Sequence, residues 1–168
     1  MAIPKQAKDI FFADGNLRLD LLDKPATDVL HESMRLARET HWDRLRSPHV
    51  FMGLLAVPDD HVRHWGKRLG TDLTKLLEQF QELFQQADIE DAAVVLNREF
   101  LSDNVIRLLR DAHRRALDNH RQRITSMDLL ISILTSPQSF VAQCFEHVGI
   151  TAARLAEWAV MAEFNGHS

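Results

Sequence analysis

Slid along itself by 79 positions, this sequence aligns without a gap across two long stretches. Leu22 falls on Leu101, Leu30 on Leu109, Arg35 on Arg114, Ala37 on Ala116, and His41 on His120. Further on, Arg44 meets Arg123, Ser47 meets Ser126, Leu55 meets Leu134, Pro58 meets Pro137, and Gly70 meets Gly149. Other positions exchange one apolar residue for another, as Leu45 does with Ile124 and Val50 with Leu129. Punctuation and core positions repeating together mark a duplicated structural unit. The chain must therefore fold as two copies of one element set.

The periodicity within each copy is helical. Ala26, Val29, Leu30, Ser33, Met34 and Ala37 follow the three-four spacing of one helix face, and Pro25 suits a first turn. In "SPHVFMGLL", Ser47 reads as an N-cap with Pro48 at N1, and Val50, Phe51, Leu54 and Leu55 form a stripe. "VPDD" breaks that helix; Val62, Trp65 and Leu69 make the next face, which Gly70 stops. From Asp72, Leu73 to Phe84 trace a longer amphipathic helix. The expectation is an all-α fold of two ungapped four-helix repeats packed as one domain with pseudo-twofold symmetry. Its parts are an N-terminal arm (1–21), a first repeat (22–86), a connector (87–100) and a second repeat (101–164). Asp14-Gly15-Asn16, followed by alternating Leu17, Leu19 and Leu21, gives the arm the pattern of a small hairpin or an extended segment. The acidic connector "QQADIEDAAVVLNREF" reads as partly ordered, and Asn165-Gly166 reads as the cap of the last helix.

Composition narrows the setting. With 45% apolar and 26% charged residues, the chain has the balance of a globular protein that can bury a sizeable core. A formal charge of −4 exerts no global pull toward nucleic acid or anionic membranes. A single cysteine, Cys144, excludes an internal disulfide and fits a reducing compartment. The N-terminus lacks the apolar stretch of a secretory signal, and no window is apolar enough for a membrane span. A cytoplasmic protein is expected.

The two stretches "ARETHWDRLRSPHVFMGLLAVPDDHVRHWGKRLG" and "AHRRALDNHRQRITSMDLLISILTSPQSFVAQCFEHVG" resemble the Clp N-terminal repeat. Two such repeats form the N-domain of the AAA+ unfoldases ClpA, ClpB and ClpC and of the secretion ATPase ClpV. The resemblance spans about residues 22 to 160 and rests on the duplicated arrangement. It implies a non-enzymatic protein-binding module without cofactors, whose partner is a substrate, an adaptor or an AAA+ ATPase. Type VI secretion is one of the pathways it brings into view. No G-x-x-x-x-G-K-[ST] loop occurs, so Walker-type ATP binding is absent from this sequence, which reads as a stand-alone relative or an excised N-domain. In ClpC-like members, a Glu inside "T-E-H" contributes to reading phosphorylated arginine. Pro48 and Met127 hold the matching positions here, and neither pairs with a guanidinium group. The His of that motif remains as His49 and becomes Asp128 in the second repeat; His41 and His120 match a His in the link of ClpA-like members. Because family ligands gather at these helix starts, Pro48, His49, Met127 and Asp128 are the candidate contact residues.

Other constellations were weighed on their chemistry. Ser47 and His49 lack a placed acidic orienter, and Ser126 repeats the serine without a histidine, so no catalytic pair is assigned. Asp60, His61 and His64 are too few for zinc and belong to one repeat only, so no metal is assigned. Cys144, at the repeat position of Trp65 beside Val141 and Val148, reads as a buried structural thiol. Arg107, Arg110, Arg114, Arg115, Arg121 and Arg123 cluster, with Asp111 and Arg115 spaced for an i, i+4 pair. That face is the basis of the alternative reading, a regulatory or nucleic-acid-associated helical protein, and it adds Arg110 and Arg114 to the candidate contacts. No aromatic residues interleave these arginines in sequence, which argues against nucleic acid.

Overall fold

The computed structural model describes residues 9–85, 96–137 and 139–165. Among them are eight α-helices and no β-strand: α1 (Lys24–Glu39), α2 (Ser47–Ala56), α3 (Asp60–Leu69), α4 (Leu73–Leu83), α5 (Asp103–Asp118), α6 (Ser126–Thr135), α7 (Phe140–Glu146) and α8 (Ala152–Asn165). The offset of 79 seen in the sequence carries α1 onto α5 and α2 onto α6 residue for residue. It also carries the 3-10 turn Leu19–Leu21 onto Arg98–Phe100. His41 and His120, the shared link histidines, both sit in the left-handed region at φ 64° and 61°, closing α1 and α5. Gly70 and Gly149 do the same after α3 and α7.

The twofold relation is visible in the backbone hydrogen bonds that join the repeats. Leu45 N–H donates to Phe100 C=O (2.8 Å), and Ser102 N–H donates to Leu45 C=O (2.9 Å). Its mirror image is Ile124 N–H to Leu21 C=O (2.6 Å) with Asp23 N–H to Ile124 C=O (3.0 Å). Leu22 thus bridges Ile124 while Leu101 bridges Leu45, each in parallel sense, and all four are buried. Each repeat lends its entry segment to the other, which satisfies buried backbone groups that neither could pair alone.

α2 and α6 form the centre. Pro48 through Leu55 and Ser126 through Leu134 are buried on every side, as expected of helices that are apolar all round. α1 and α5 lie against them. There Gly53 lets α2 approach α1 closely: a Cβ would stand 2.3 Å from Ser33 Oγ and 2.5 Å from Val29 O. On the opposite side, α3 packs along α8. Trp65 fills that seam, its indole N–H donating to Leu155 C=O at 3.1 Å and its ring set edge-on to Phe51 and Phe145. Under the pseudo-twofold α7 and α4 take the places of α3 and α8, but they stand apart instead of packing along one another, and Cys144 stands in place of Trp65. The smaller side chain leaves an apolar hollow of about 180 Å³ lined by Leu76, Phe80, Leu83, Cys144, Phe145 and Val148.

Ahead of the helices, Phe12 N–H bonds Asn16 C=O and Arg18 N–H bonds Ile10 C=O, so a turn at Asp14-Gly15 returns the chain on itself. Ile10, Phe11 and Leu17 are buried in the main core. Residues 1–8 of the arm, residue 86, residues 87–95 of the connector, and the Gly166 cap lie outside the described residues.

Three sequence expectations change. Ser47 is not the cap of α2: the helix starts there, Pro48 is N2, and His49 at N3 reaches back to accept the Arg46 N–H on Nδ1 (3.0 Å). The twin position shows why, because Thr125 and Asp128 close a capping box in the same register. Cys144 is half-buried, not enclosed: it lines an open hollow with Val148, which is 72% exposed because α7 ends at Glu146. Arg115 does not pair with Asp111, which instead lies 3.8 Å from Arg114.

Candidate binding grooves

Two grooves open where the repeats meet, and they are copies of one another. The first, of about 270 Å³, is lined by Trp42, Arg46, Pro48, Phe84, Phe140 and neighbours. The second, of about 510 Å³, is lined by Arg121, Thr125, Glu163, His61, Asp60 and neighbours. Trp42 maps onto Arg121, Arg46 onto Thr125, Phe84 onto Glu163, and Phe140 onto His61 at the offset of 79. The same backbone has been given opposite chemistry.

In the second groove the filling is ionic. Asp128 is fully buried and takes hydrogen bonds from Arg115 Nη1 (2.7 Å), Arg121 Nη2 (2.8 Å) and the Thr125 N–H (2.9 Å). Glu163 clamps Arg115 through both nitrogens at 2.9 and 3.0 Å. Burial alone would raise the Asp128 carboxyl; the bonds from Arg121, Thr125 and Arg115 outweigh it and hold Asp128 below the ordinary carboxylate range. Further along, Asp23 and Asp59 cap α1 and α3 through the Ala26 and Val62 N–H groups. Asp23 is pushed up by burial and by the nearby Asp59 and Asp128, against the Ala26 hydrogen bond.

The equivalent positions in the first groove are uncharged, three of them rings. Leu36, Trp42, His49 and Phe84 stand where Arg115, Arg121, Asp128 and Glu163 stand in its twin. Trp42 donates its indole N–H to the Phe84 carbonyl and meets the His49 ring edge-on at 5.5 Å. Arg46 lies over the Trp42 face, 4.9 Å from its centroid. Phe84 and Phe140 pack edge-to-face at 5.0 Å across the mouth, Phe140 being half exposed. Burial, with Arg46 beside it, lowers His49 to about 4, so the ring is neutral at physiological pH. Its Nδ1 accepts from the backbone and its Nε2 lies 3.5 Å from Thr40 Oγ1, so Ser47 receives no base. The helix-start caps bordering this groove, Ser102 and Ser139, are uncharged.

The candidate contact residues therefore separate. Pro48 lines the first groove, whereas His49, Met127 and Asp128 are fully enclosed and offer no surface in the free chain. Arg110 and Arg114 lie on α5, away from both grooves, beside a shallow basic hollow of about 360 Å³ with Arg98 and Arg107. Arg110 is held by Asp9 through two bonds of 3.1 Å, and Arg98 and Arg110 both lie over the Phe11 ring. The arginine cluster is thus divided: Arg115 and Arg121 are internal ties, whereas Arg107, Arg110 and Arg114 keep to the outer face of α5. Asp60 is paired with Arg63 at 2.8 Å, and among the described residues no three metal-ligating side chains converge. Trp42, Arg46, Phe84 and Phe140 were not singled out from sequence. Their signal is there all the same, at matched positions where the repeats differ in chemical class.

No protein-family model matches this sequence. Solved structures do. The N-terminal domain of the chaperone ClpD from Arabidopsis thaliana superposes with a TM-score of 0.67 at 16% identity, over 88% of this chain and 97% of that one. The Hsp104 N-terminal domain from Candida albicans gives 0.64 at 12% identity, over 88% and 93%. A ClpV N-domain in complex with a VipB peptide gives 0.63 at 18% identity, over 86% and 89%. The fold is that of a Clp N-terminal domain. Within that Clp N-domain fold, the Thr/Ser-x-His helix start is the α2 terminus beside the aromatic groove, and its twin start at α6 is sealed by the Asp128 cluster. No helix among the described residues is long and apolar enough to cross a membrane.

Proposed function

We propose that this chain is a non-enzymatic protein-binding module that holds a short partner helix or apolar peptide for a Clp-type AAA+ unfoldase. The observation that carries this reading is the aromatic groove. Trp42, Pro48, Phe84 and Phe140 form an open, largely apolar trough between the two repeats, bordered by hydroxyl groups and one arginine. Troughs of that make-up bury a few anchor side chains and leave a polar rim to orient the chain. A ClpV N-domain, of the same fold, has been solved with a peptide. The rigid seat matters too: Trp42 is fixed by Phe84 and His49, so little side-chain freedom remains to be lost on binding.

The test is a titration of the chain with blocked amphipathic peptides, followed by NMR of backbone amides and indole N–H groups. Shifts should cluster on Trp42, Pro48's neighbours and Phe140, and Trp42→Ala should abolish them. Shifts confined to Arg107, Arg110 and Arg114, or unaffected by Trp42→Ala, would sink the proposal and favour the basic face.

A further inference from the structure

We infer that the aromatic groove selects a peptide carrying a glutamate or aspartate side chain between apolar residues, and that each chain binds one such peptide. This rests on the groove being the peptide site.

The argument is one of charge. Among the residues lining the aromatic groove, Arg46 carries the only formal charge, and it has no carboxylate partner among the described residues. Its guanidinium is anchored over the Trp42 face, at the point where a bound chain would cross from solvent to apolar wall. The other polar lining groups are the uncharged Ser47, Ser102, Asn104, Ser136 and Ser139. Among the described residues nothing in the groove repels a carboxylate, and Arg46, with no carboxylate partner among them, attracts it. In the twin groove Asp23, Asp59, Asp60 and Glu163 oppose Arg121, which is already tied to Asp128. A carboxylate entering there would meet Asp23 and Asp59 beside the already paired Asp60 and Glu163, so only one of the two related grooves accepts this ligand.

The carboxylate belongs to a side chain and not to a chain end. Beyond the groove Phe84 stacks on Phe80, which lines a second apolar hollow with Cys144 and Phe145, flanked by the exposed Leu83 and Val148. A peptide pairing with Arg46 has apolar wall to follow beyond that point, and a terminal carboxylate would leave it bare.

The experiment uses three octapeptides of Leu, Phe and Ser, acetylated and amidated at their ends, with Glu, Gln or Lys at the centre. A fourth has Gln at the centre and a free C-terminal carboxylate. Binding to the wild-type chain, Arg46→Glu and Trp42→Ala is read by fluorescence anisotropy. The Glu peptide should bind at one per chain and roughly tenfold tighter than the Lys peptide, an attraction lost and a repulsion gained at a partly exposed pair. Arg46→Glu should invert that order, and the free-acid peptide should bind no tighter than its amide. Arg46 is exposed and holds the α2 start through its backbone alone, the N–H donating to His49 and the carbonyl accepting from His49 and Val50, so the variant keeps the fold. Equal binding of all three central residues, two peptides per chain, or a preference for the free acid overturns the inference while leaving the groove intact. Binding that survives Trp42→Ala, or no binding of any peptide, overturns the groove reading and the inference together.

Discussion

His49 should make the protein acid-sensitive between pH 6.5 and about 4. The imidazole is fully enclosed, accepts the Arg46 N–H on Nδ1 and sits edge-on to Trp42, an arrangement open only to the neutral ring. Burial first, and Arg46 second, lower it to about 4 from the ordinary 6.5. The unfolded chain takes up the proton at about 6.5, while the folded chain resists until about 4. Its contribution is therefore intact above pH 6.5 and drains away as pH falls through the interval to about 4. At 1.36 kcal/mol per unit of displacement, the full loss is about 3 kcal/mol. Urea denaturation at pH 7, 6, 5 and 4 measures it, with His49→Asn as the comparison. An asparagine oxygen takes the place of Nδ1 as acceptor but does not titrate. The variant starts less stable for want of the ring, yet should lose about 3 kcal/mol less between pH 6.5 and 4. His113, lowered by burial and by Arg18 against the pull of Asp9, titrates with the same sign but is present in both proteins and cancels. Parallel stability curves for the two proteins would refute the reasoning.

Asp128→Ala leaves Arg115 and Arg121 to share Glu163 in a half-buried site and should cost about 3–5 kcal/mol in a urea titration. Because Asp128 is held below the ordinary carboxylate range, its own contribution is present above pH 3.8 and is lost as pH falls through its folded value. The gap between wild type and variant should hold from neutrality to pH 4 and narrow in stronger acid. Gly53→Ala should destabilise by roughly 1–3 kcal/mol, read as a lower thermal midpoint. Adding Ser33→Ala removes the contact at 2.3 Å but not the Val29 carbonyl at 2.5 Å, so the double variant should recover only in part. Trp65→Phe removes the donor to Leu155 C=O and opens the α3–α8 seam, at a cost of about 3 kcal/mol by the same measurement.

The helix boundaries were legible because they rest on local rules repeated twice. Where one copy was ambiguous, the other decided it: the link histidines, the glycines after α3 and α7, and the ends of α1 and α5 all coincide at one offset. What the pattern could not carry is partnership across the chain. Nothing in the spacing says that Leu22 reaches Ile124 while Leu101 reaches Leu45, since both are simply apolar residues ahead of a helix. Nor does an i, i+4 spacing reveal that Arg115 turns inward to Asp128 and Glu163 and leaves Asp111 to Arg114. His49 was misread for a related reason. Alone it looks like a residue just inside a serine cap, but set against Asp128 it is the acceptor of a capping box whose carboxylate has become a neutral ring.

That substitution also indicates where binding sites arise in a duplicated fold. Agreement between the repeats marks what the fold needs, because both copies must satisfy the same backbone and fill the same core. Disagreement in chemical class, at positions that line one opening, marks where the copies have been released to do different things. Arg115, Arg121, Asp128 and Glu163 stop one groove with charges that satisfy each other, which consumes their capacity to bind anything else. Over the buried Leu36 and His49, Trp42, Phe84 and Phe140 build a wall with little polar demand of its own, and an apolar wall left open to water gains by being covered. The candidate site is thus the half of the symmetry that was not internally satisfied.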